Sequence, residues 1–134
     1  MSGQNDEMTA GAVLYAKDVD RVAAFYVEVA GLRVRKAEPA HVALESPGFD
    51  LVVVRIPETL ARSITIESPP LRRESTPIKL VFPVASVAAA RAAAARLGGA
   101  LNPEEREWRY EGSRVCDGHD PEGNVFQLRE SGPR

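Results

Sequence analysis

The chain contains two copies of one local pattern, and this repeat restricts the folds open to it. In each copy a short strand-like run passes through a capping residue, Asp18 or Ser86, into a helix. A glycine, Gly31 or Gly99, follows each helix at the same distance. The two copies superpose without a gap when the sequence is shifted by 68 residues, from 18 to 86. The repeat therefore predicts two equivalent modules.

Each module is predicted to have the order βαβββ. Three strand-like runs follow the first helix, and turn residues such as Pro39 and Ser46-Pro47-Gly48 separate them. Module one is assigned to residues 9–56 and module two to 78–130, within a single domain over 9–132. Residues 57–77 contain four prolines and are predicted to be a linker. Residues 1–8 are polar and acidic, without the features of a secretory signal, and are predicted to be a flexible tail.

A turn of the type Asp-Pro-x-Gly-Asn, at Asp120 to Asn124, leads into the last strand. The Asp120 side chain is suited to accept hydrogen bonds from backbone amides of this turn. A shift of 74 residues places Pro47 on Pro121 and Val53 on Gln127, which extends the repeat to the ends of the modules.

These motifs carry a family resemblance. Ala16 to Arg21, Phe25-Tyr26, Gly31-Leu32 and Asp120 to Asn124 together resemble the vicinal oxygen chelate superfamily, which includes glyoxalase I, extradiol dioxygenases, fosfomycin-resistance enzymes and bleomycin-resistance proteins. The resemblance covers about residues 9–130. It implies an α+β fold in which two paired βαβββ modules form a cupped mixed β-sheet with helices on the outer face. It also implies a homodimer, because such cups are often completed by a second copy.

Composition excludes several other classes of protein. With 44% hydrophobic and 27% charged residues, 134 residues suffice for one globular domain. A net charge of -2 without long basic runs predicts no nucleic-acid partner, and no apolar stretch is long enough to predict a membrane span. The single cysteine, Cys116, cannot form an intrachain disulfide, so a cytoplasmic location is expected.

Alternation along the strands predicts which side chains face the cup, because successive side chains point to opposite sides. Val52, Val54, Phe126 and Leu128 are predicted to lie under the helices. Val53, Arg55, Gln127 and Arg129 are predicted to face the cup. By the resemblance, the metal ligands of the superfamily would fall at Gly11, Val53, Lys79 and Gln127. None of these residues is a good ligand for a divalent ion, so no metal and no other cofactor is predicted.

The cup should therefore bind a small organic ligand by other means. Lys79, Arg55 and Arg129, with Gln127 between them, would favour an anionic group. Tyr15, Trp108 and Tyr110 would supply apolar walls. An alternative for the aromatic residues is ordinary packing at an edge or in a dimer interface, and the two arginines could instead reach solvent or pair with acidic neighbours.

Other polar residues are candidates for metal binding or catalysis. His41 and Glu45 lie roughly 13 Å apart along one strand, too far to hold one ion, although Glu45, His41 or His119 could still support a displaced metal site. Asp117 to Pro121 is predicted to be a loop. Cys116 is predicted to be a small strand residue and not a nucleophile, although His119 could reach it.

The sequence therefore favours a protein that binds a small molecule in the cup of a glyoxalase/bleomycin-resistance-like fold, where the cations favour an anionic ligand and the family metal is expected to be absent. The alternative is a lyase, isomerase or dioxygenase of the same superfamily, with a displaced metal site or a metal-free acid-base mechanism. In that case Lys79 would transfer protons with His119 or His41. Whether the chain is an enzyme stays open at this point.

Overall fold

The computed structural model describes residues 8–132, so the predicted tail lies outside the described residues except for Met8. Within these described residues, twelve helices and strands and one 3-10 turn follow one another. They are β1 (Ala10–Ala16), α1 (Val19–Ala30), β2 (Arg33–Glu38), β3 (His41–Ser46), β4 (Phe49–Arg55), α2 (Glu58–Ala61), β5 (Leu80–Val84), α3 (Val87–Arg96), β6 (Ala100–Leu101), the 3-10 turn (Glu104–Arg106), β7 (Trp108–Tyr110), β8 (Ser113–His119) and β9 (Val125–Ser131).

Both long helices begin at the predicted caps. The Asp18 carboxylate accepts a hydrogen bond from the Arg21 amide at 3.1 Å, and the Ser86 hydroxyl accepts one from the Ala89 amide at 3.0 Å. Gly31 ends α1 in the left-handed conformation, with φ of 75°, which a residue without a Cβ adopts at little cost. These local signals were therefore sufficient to position α1 and α3.

The strands form two mixed sheets. The first has the order β1-β4-β3-β2, and the second has the order β5-β9-β8-β6, with β7 also pairing with β8. In each sheet the first strand of the module pairs in parallel with the last, and the other pairs are antiparallel. The predicted α+β fold with two βαβββ modules is confirmed, and the second module has one additional short strand, β7.

One hydrophobic core joins the two modules. Phe25 and Tyr26 of α1 contact Phe126 of β9, with ring centroids 5.7 Å apart in both pairs, and Tyr26 lies equally close to Phe82 of β5. Helix α3 adds Val87, Ala90, Ala93 and Ala94 to the same core. Among residues 8–132, no helix has the length and apolarity needed to cross a membrane.

The sheet face that points away from α1 and α3 is called the cup face below. Strand register corrects its predicted composition in module one. Val53 is fully buried in the core and Leu51 lies beside it, so Val52 and Val54 occupy the cup face instead. Val13 pairs with Val52 and its repeat partner Val81 pairs with Gln127, so the closing strands superpose with a shift of 75 residues, from 52 to 127, and not 74. The prediction failed because a one-residue slip inverts every face.

Two predicted irregular segments are more ordered than expected. Asp117 to His119 belong to β8 and not to a loop, because their backbone pairs with Gln127 to Val125 of β9. The linker contains α2, a single short turn of helix at Glu58–Ala61.

The turn at Asp120 connects the modules. The Asp120 carboxylate accepts hydrogen bonds from the backbone amides of Glu122 and Asn124 at 2.8 and 3.1 Å, as predicted, and one from the Tyr26 hydroxyl at 2.8 Å. The buried Glu122 carboxylate accepts from the amides of Lys17 and Asp18, at 2.8 to 3.0 Å, next to the start of α1. Burial and the nearby Asp120 carboxylate raise the pKa of Tyr26 well above its ordinary value, so this hydroxyl stays a donor.

Candidate functional site

A row of polar side chains crosses the cup face of the second sheet. The Lys79 ammonium lies 2.8 Å from one carboxylate oxygen of Asp117, and the Gln127 amide nitrogen donates to the other at 3.1 Å. The Gln127 oxygen accepts a hydrogen bond from Nε of Arg129 at 2.9 Å. The Arg129 guanidinium lies over the Tyr110 ring, 4.9 Å from its centroid. Four of the predicted ligand-binding residues, Lys79, Gln127, Arg129 and Tyr110, are thus connected through Asp117.

Strand pairing explains this convergence. Asp117 lies directly opposite Gln127 in the β8–β9 ladder, so their side chains share one face. Gln127 in turn lies opposite Val81 of β5, and Lys79 precedes that strand by one residue. The positions of Asp117, Gln127 and Arg129 in the polar row therefore follow from β-sheet register, and Lys79 joins them from the residue before β5.

Arg129 is the cation of this row whose charge is left uncompensated. Lys79 is neutralised by Asp117, whereas Arg129 has no carboxylate within ion-pair distance in the described part of the chain. Its Nε is engaged by Gln127, and its planar group rests on Tyr110, which leaves the terminal nitrogens as donors. A half-buried, pre-oriented guanidinium of this kind suits a bidentate anionic partner.

Trp108 lies on the same face, two strands from Arg129. Both residues pair with Val115 of β8, from opposite sides. Val115 is fully buried yet lies outside the helix-side core, because cup-face side chains cover it. Trp108 and Tyr110 remain 42% and 48% exposed, so an apolar surface adjoins the Arg129 donors.

Tyr15 lies on the cup face of the first sheet, opposite Val54, and is 58% exposed. It is therefore not part of the polar row, although it presents its ring on the corresponding face of the other module. Val13 beside it and Val81 of the second sheet are also exposed on the cup face.

The predicted cup-facing position of Arg55 is wrong. Arg55 pairs with Ala16, which is buried on the helix side, and its guanidinium donates to the Pro39 carbonyl at 3.1 Å. The cause is the same one-residue register error that misplaced Val53. Arg55 thus lies outside the polar row.

The positions implied for metal ligands carry no ligand set. With the corrected register they are Gly11, Val52, Lys79 and Gln127, and the last two are bonded to Asp117. Residues 8–132 contain no cluster of three or more His, Cys, Asp or Glu that could hold a metal ion.

The alternative metal-site residues are engaged elsewhere or separated. Glu45 forms an ion pair with Arg33 at 2.9 Å and lies 3.7 Å from Arg35. His41 pairs with Val54 in the first sheet, whereas His119 lies in the second, where its Nδ1 is 3.0 Å from the Asp120 carbonyl oxygen. The structure does not bring the two histidines to one sheet.

Cys116 belongs to the core. It is fully buried, and its sulfur lies 3.4 Å from the Asn102 carbonyl and 3.5 Å from the Arg91 guanidinium. Burial raises the pKa of the thiol, against the opposing effect of Arg91. Cys116 and His119 are three residues apart in one strand, so their side chains point to opposite faces. The structure therefore does not form a Cys–His pair here.

Asp117 is the site residue that the sequence interpretation missed. The alternation of Ser113, Val115, Asp117 and His119 was a sufficient signal, because it matches one face of a strand. The Asp-Gly pair at 117 and 118 obscured this signal by its resemblance to a turn.

Comparisons with known proteins agree with this architecture. The family model described as a glyoxalase-like domain matches residues 11–129. A glyoxalase/bleomycin resistance protein/dioxygenase family enzyme from Burkholderia phytofirmans PsJN has 18% identity and a TM-score of 0.64, covering 90% of this chain and 96% of its own. No curated protein matches the chain.

Two further solved structures share the fold. The fosfomycin resistance protein FosX from Mesorhizobium loti has 11% identity and a TM-score of 0.61, covering 96% of this chain and 94% of its own. TioX from Micromonospora sp. ML1 has 19% identity and a TM-score of 0.62, covering 92% and 98%. At such identities the neighbours establish the fold alone. With the family model matching nearly the whole chain, the protein belongs to the glyoxalase-like domain family of the vicinal oxygen chelate superfamily.

Proposed function

We propose that this protein binds a small organic anion on the cup face of its second module, without the metal used by other members of the superfamily. The observation that carries the proposal is Arg129. Its guanidinium is held by Gln127 and Tyr110 but has no carboxylate partner among residues 8–132. A carboxylate or phosphate group would accept two hydrogen bonds from its terminal nitrogens.

The neighbours of Arg129 fit a binding role. Gln127 orients Nε, and the Lys79–Asp117 pair fixes Gln127 from its other side. Because these contacts hold Arg129 before a ligand arrives, little rotamer freedom would be lost on binding. Lys79 and Gln127 thus position the anion-binding group, and Lys79 adds positive charge near it.

The rest of the ligand is expected to be apolar and flat. Trp108 and Tyr110 expose their rings on the same face as Arg129, across the buried Val115. Aromatic rings of this kind give a large contact area to a planar group. An aromatic carboxylate would therefore satisfy both halves of the site.

The site is expected to be completed by a second copy of the chain. Five large side chains are exposed on the cup faces: Val13, Tyr15, Val81, Trp108 and Tyr110. An apolar surface of this kind is typical of an interface or a ligand-binding groove. A homodimer would enclose the ligand, and sedimentation at micromolar concentration would reveal it as twice the mass of the chain. A cytoplasmic location, with neither nucleic acid nor membrane as a partner, stays a prediction from composition.

The alternative, a metal-free enzyme that uses Lys79 for proton transfer, is less well supported by the geometry. That role requires a desolvated amine, whereas Lys79 is 41% exposed in its side chain and paired with Asp117. We therefore place binding first.

The single tryptophan provides the test. Trp108 is the only tryptophan of the chain and lies in the proposed site, so 2-naphthoate, a planar carboxylate, should change its fluorescence on binding. Saturable quenching that 2-naphthol, which lacks the carboxylate, reproduces only weakly would support the proposal. Equal responses to the two compounds would refute the anion-binding role.

A further inference from the structure

We infer that the chain has a second binding site, separate from the Arg129 site, which takes a small apolar carboxylate. A cavity of about 290 Å³ lies where the two modules meet, beside the edge strands β1 and β5. Its lining consists of Ala12, Val13, Leu14, Tyr26, Leu80, Asn124, Val125 and the linker residues Arg73, Thr76 and Ile78.

The lining of this cavity separates it from the Arg129 site, although Val13 and Val125 reach it from the cup face. Leu14 pairs with Val53 and Leu80 pairs with Phe126, and both partners belong to the core side of their sheets. Lys79 and Gln127 are not among its lining residues. Neither Trp108 nor Arg129 lines the cavity, so a ligand here would contact neither.

The fold leaves this space open for a physical reason. β1 and β5 are the edge strands of their separate sheets, and the described pairings do not join them. The side chain of Ala12 at this gap is only a methyl group. The linker carries Pro77, which has no backbone N–H to donate to an edge strand. Side chains therefore line the gap between β1 and β5, and no backbone hydrogen bonds between these described strands close it.

Arg73 is the charged residue of this lining. Arg73 has no ion-pair partner among residues 8–132, and its backbone amide donates to the Gly123 carbonyl at 2.9 Å. The linker packs closely against the turn here, and a Cβ on Gly123 would lie only 2.0 Å from the Leu71 carbonyl oxygen. Arg73 is thus anchored beside Asn124, at the edge of the cavity.

Size and chemistry together define the ligand class. About 290 Å³ is near the lower end of the range for ligand pockets, roughly 300 Å³. The aliphatic walls suit a short hydrocarbon body, and Arg73 suits a carboxylate at its end. A medium-chain fatty acid has this combination of groups, and octanoate serves as the probe.

Octanoate binding should be measured by calorimetry on wild type and on four variants, one of which, Arg129→Gln, changes the cup-face arginine. Arg73→Gln should weaken binding at least about tenfold, because a charge-assisted hydrogen bond is lost. Ala12→Leu should abolish binding by filling the space, with thermal unfolding used to confirm that the variant folds. Arg62→Gln, a matched change at another exposed linker arginine, should leave the affinity as it is.

Three results would overturn the inference. In the first, wild type does not bind octanoate at millimolar concentration. In the second, Arg73→Gln binds octanoate with unchanged affinity. In the third, Arg129→Gln loses octanoate binding while Arg73→Gln retains it. Arg73 is exposed, so Arg73→Gln should fold and remain informative even if Ala12→Leu does not. Trp108 fluorescence should not respond to octanoate, which distinguishes this site from the cup face.

Discussion

Gln127 lies between two charged partners, donating to Asp117 at 3.1 Å and accepting from Arg129 at 2.9 Å. A side-chain amide can do both at once because it carries a donor and an acceptor on one planar group. A carboxylate at this position would repel Asp117 and neutralise Arg129. The amide is therefore what keeps the positive charge of Arg129 available to a ligand.

Arg129→Gln should weaken 2-naphthoate binding about 10- to 100-fold, which corresponds to the roughly 1.5–3 kcal/mol of a hydrogen bond to a charged group. Trp108 fluorescence gives the affinity. Arg109→Gln is the matched control, because Arg109 lies between Trp108 and Tyr110 in β7 and points to the opposite face. Equal losses in the two variants would show that Arg129 has no special role.

Asp117→Asn should strengthen the binding of anions. It removes the negative charge that neutralises Lys79 and keeps an acceptor for Gln127, so the affinity for 2-naphthoate should rise about three- to tenfold at low salt. The gain should shrink as ionic strength rises, and the cost in stability should stay below about 1 kcal/mol because the pair is partly exposed. Weaker binding would mean that the Asp117 carboxylate itself contacts the ligand.

Tyr26→Phe should destabilise the fold by about 1–2 kcal/mol, because it removes the donor to the fully buried Asp120 carboxylate. Urea unfolding measures the change. Tyr15→Phe, at an exposed tyrosine, should stay within about 0.5 kcal/mol of wild type. Similar values for both variants would contradict the importance of the contact between modules.

Cys116 should make stability fall at alkaline pH. Burial raises the pKa of the folded thiol, so the unfolded chain loses its proton first, and the contribution of this group is complete below the unfolded pKa. The stabilising contribution of the thiol should be lost progressively above about pH 8.5. The free energy of unfolding should be measured below about pH 10, which limits the contribution of Tyr26, whose pKa is also raised. Cys116→Ala should show a shallower decline in urea unfolding. Rapid alkylation of native Cys116 by iodoacetamide would contradict its burial.

Much of the fold was predictable from local signals. Asp18, Ser86 and Gly31 each determine a helix end through contacts within a few residues, and the Asp120 turn does the same for the start of β9. The site was predictable where strand alternation was read in the correct register, as for Lys79, Gln127, Arg129 and Tyr110.

Apart from Asp117, the failures concern information that adjacent sequence does not contain. The face of β4 depends on which of its residues pairs with Val13. The two modules differ in length between their first helix and their last strand. Counting from one module to the other therefore misplaced Val53 and Arg55. Asp117 was missed because the Asp-Gly sequence favours a turn, whereas pairing with Gln127 keeps the strand extended. The cavity beside Arg73 depends on how two edge strands approach each other, which no local pattern specifies.

We propose that this member of the superfamily binds its ligand with side chains in place of a metal. Elemental analysis decides this, on protein equilibrated with Mn²⁺, Ni²⁺ and Zn²⁺ and then desalted, with Gln127→Ala carried in parallel. We expect far less than one metal ion per chain in both samples, together with the same 2-naphthoate affinity in the presence of a chelator. One transition-metal ion per chain in wild type, lost in Gln127→Ala, would contradict it.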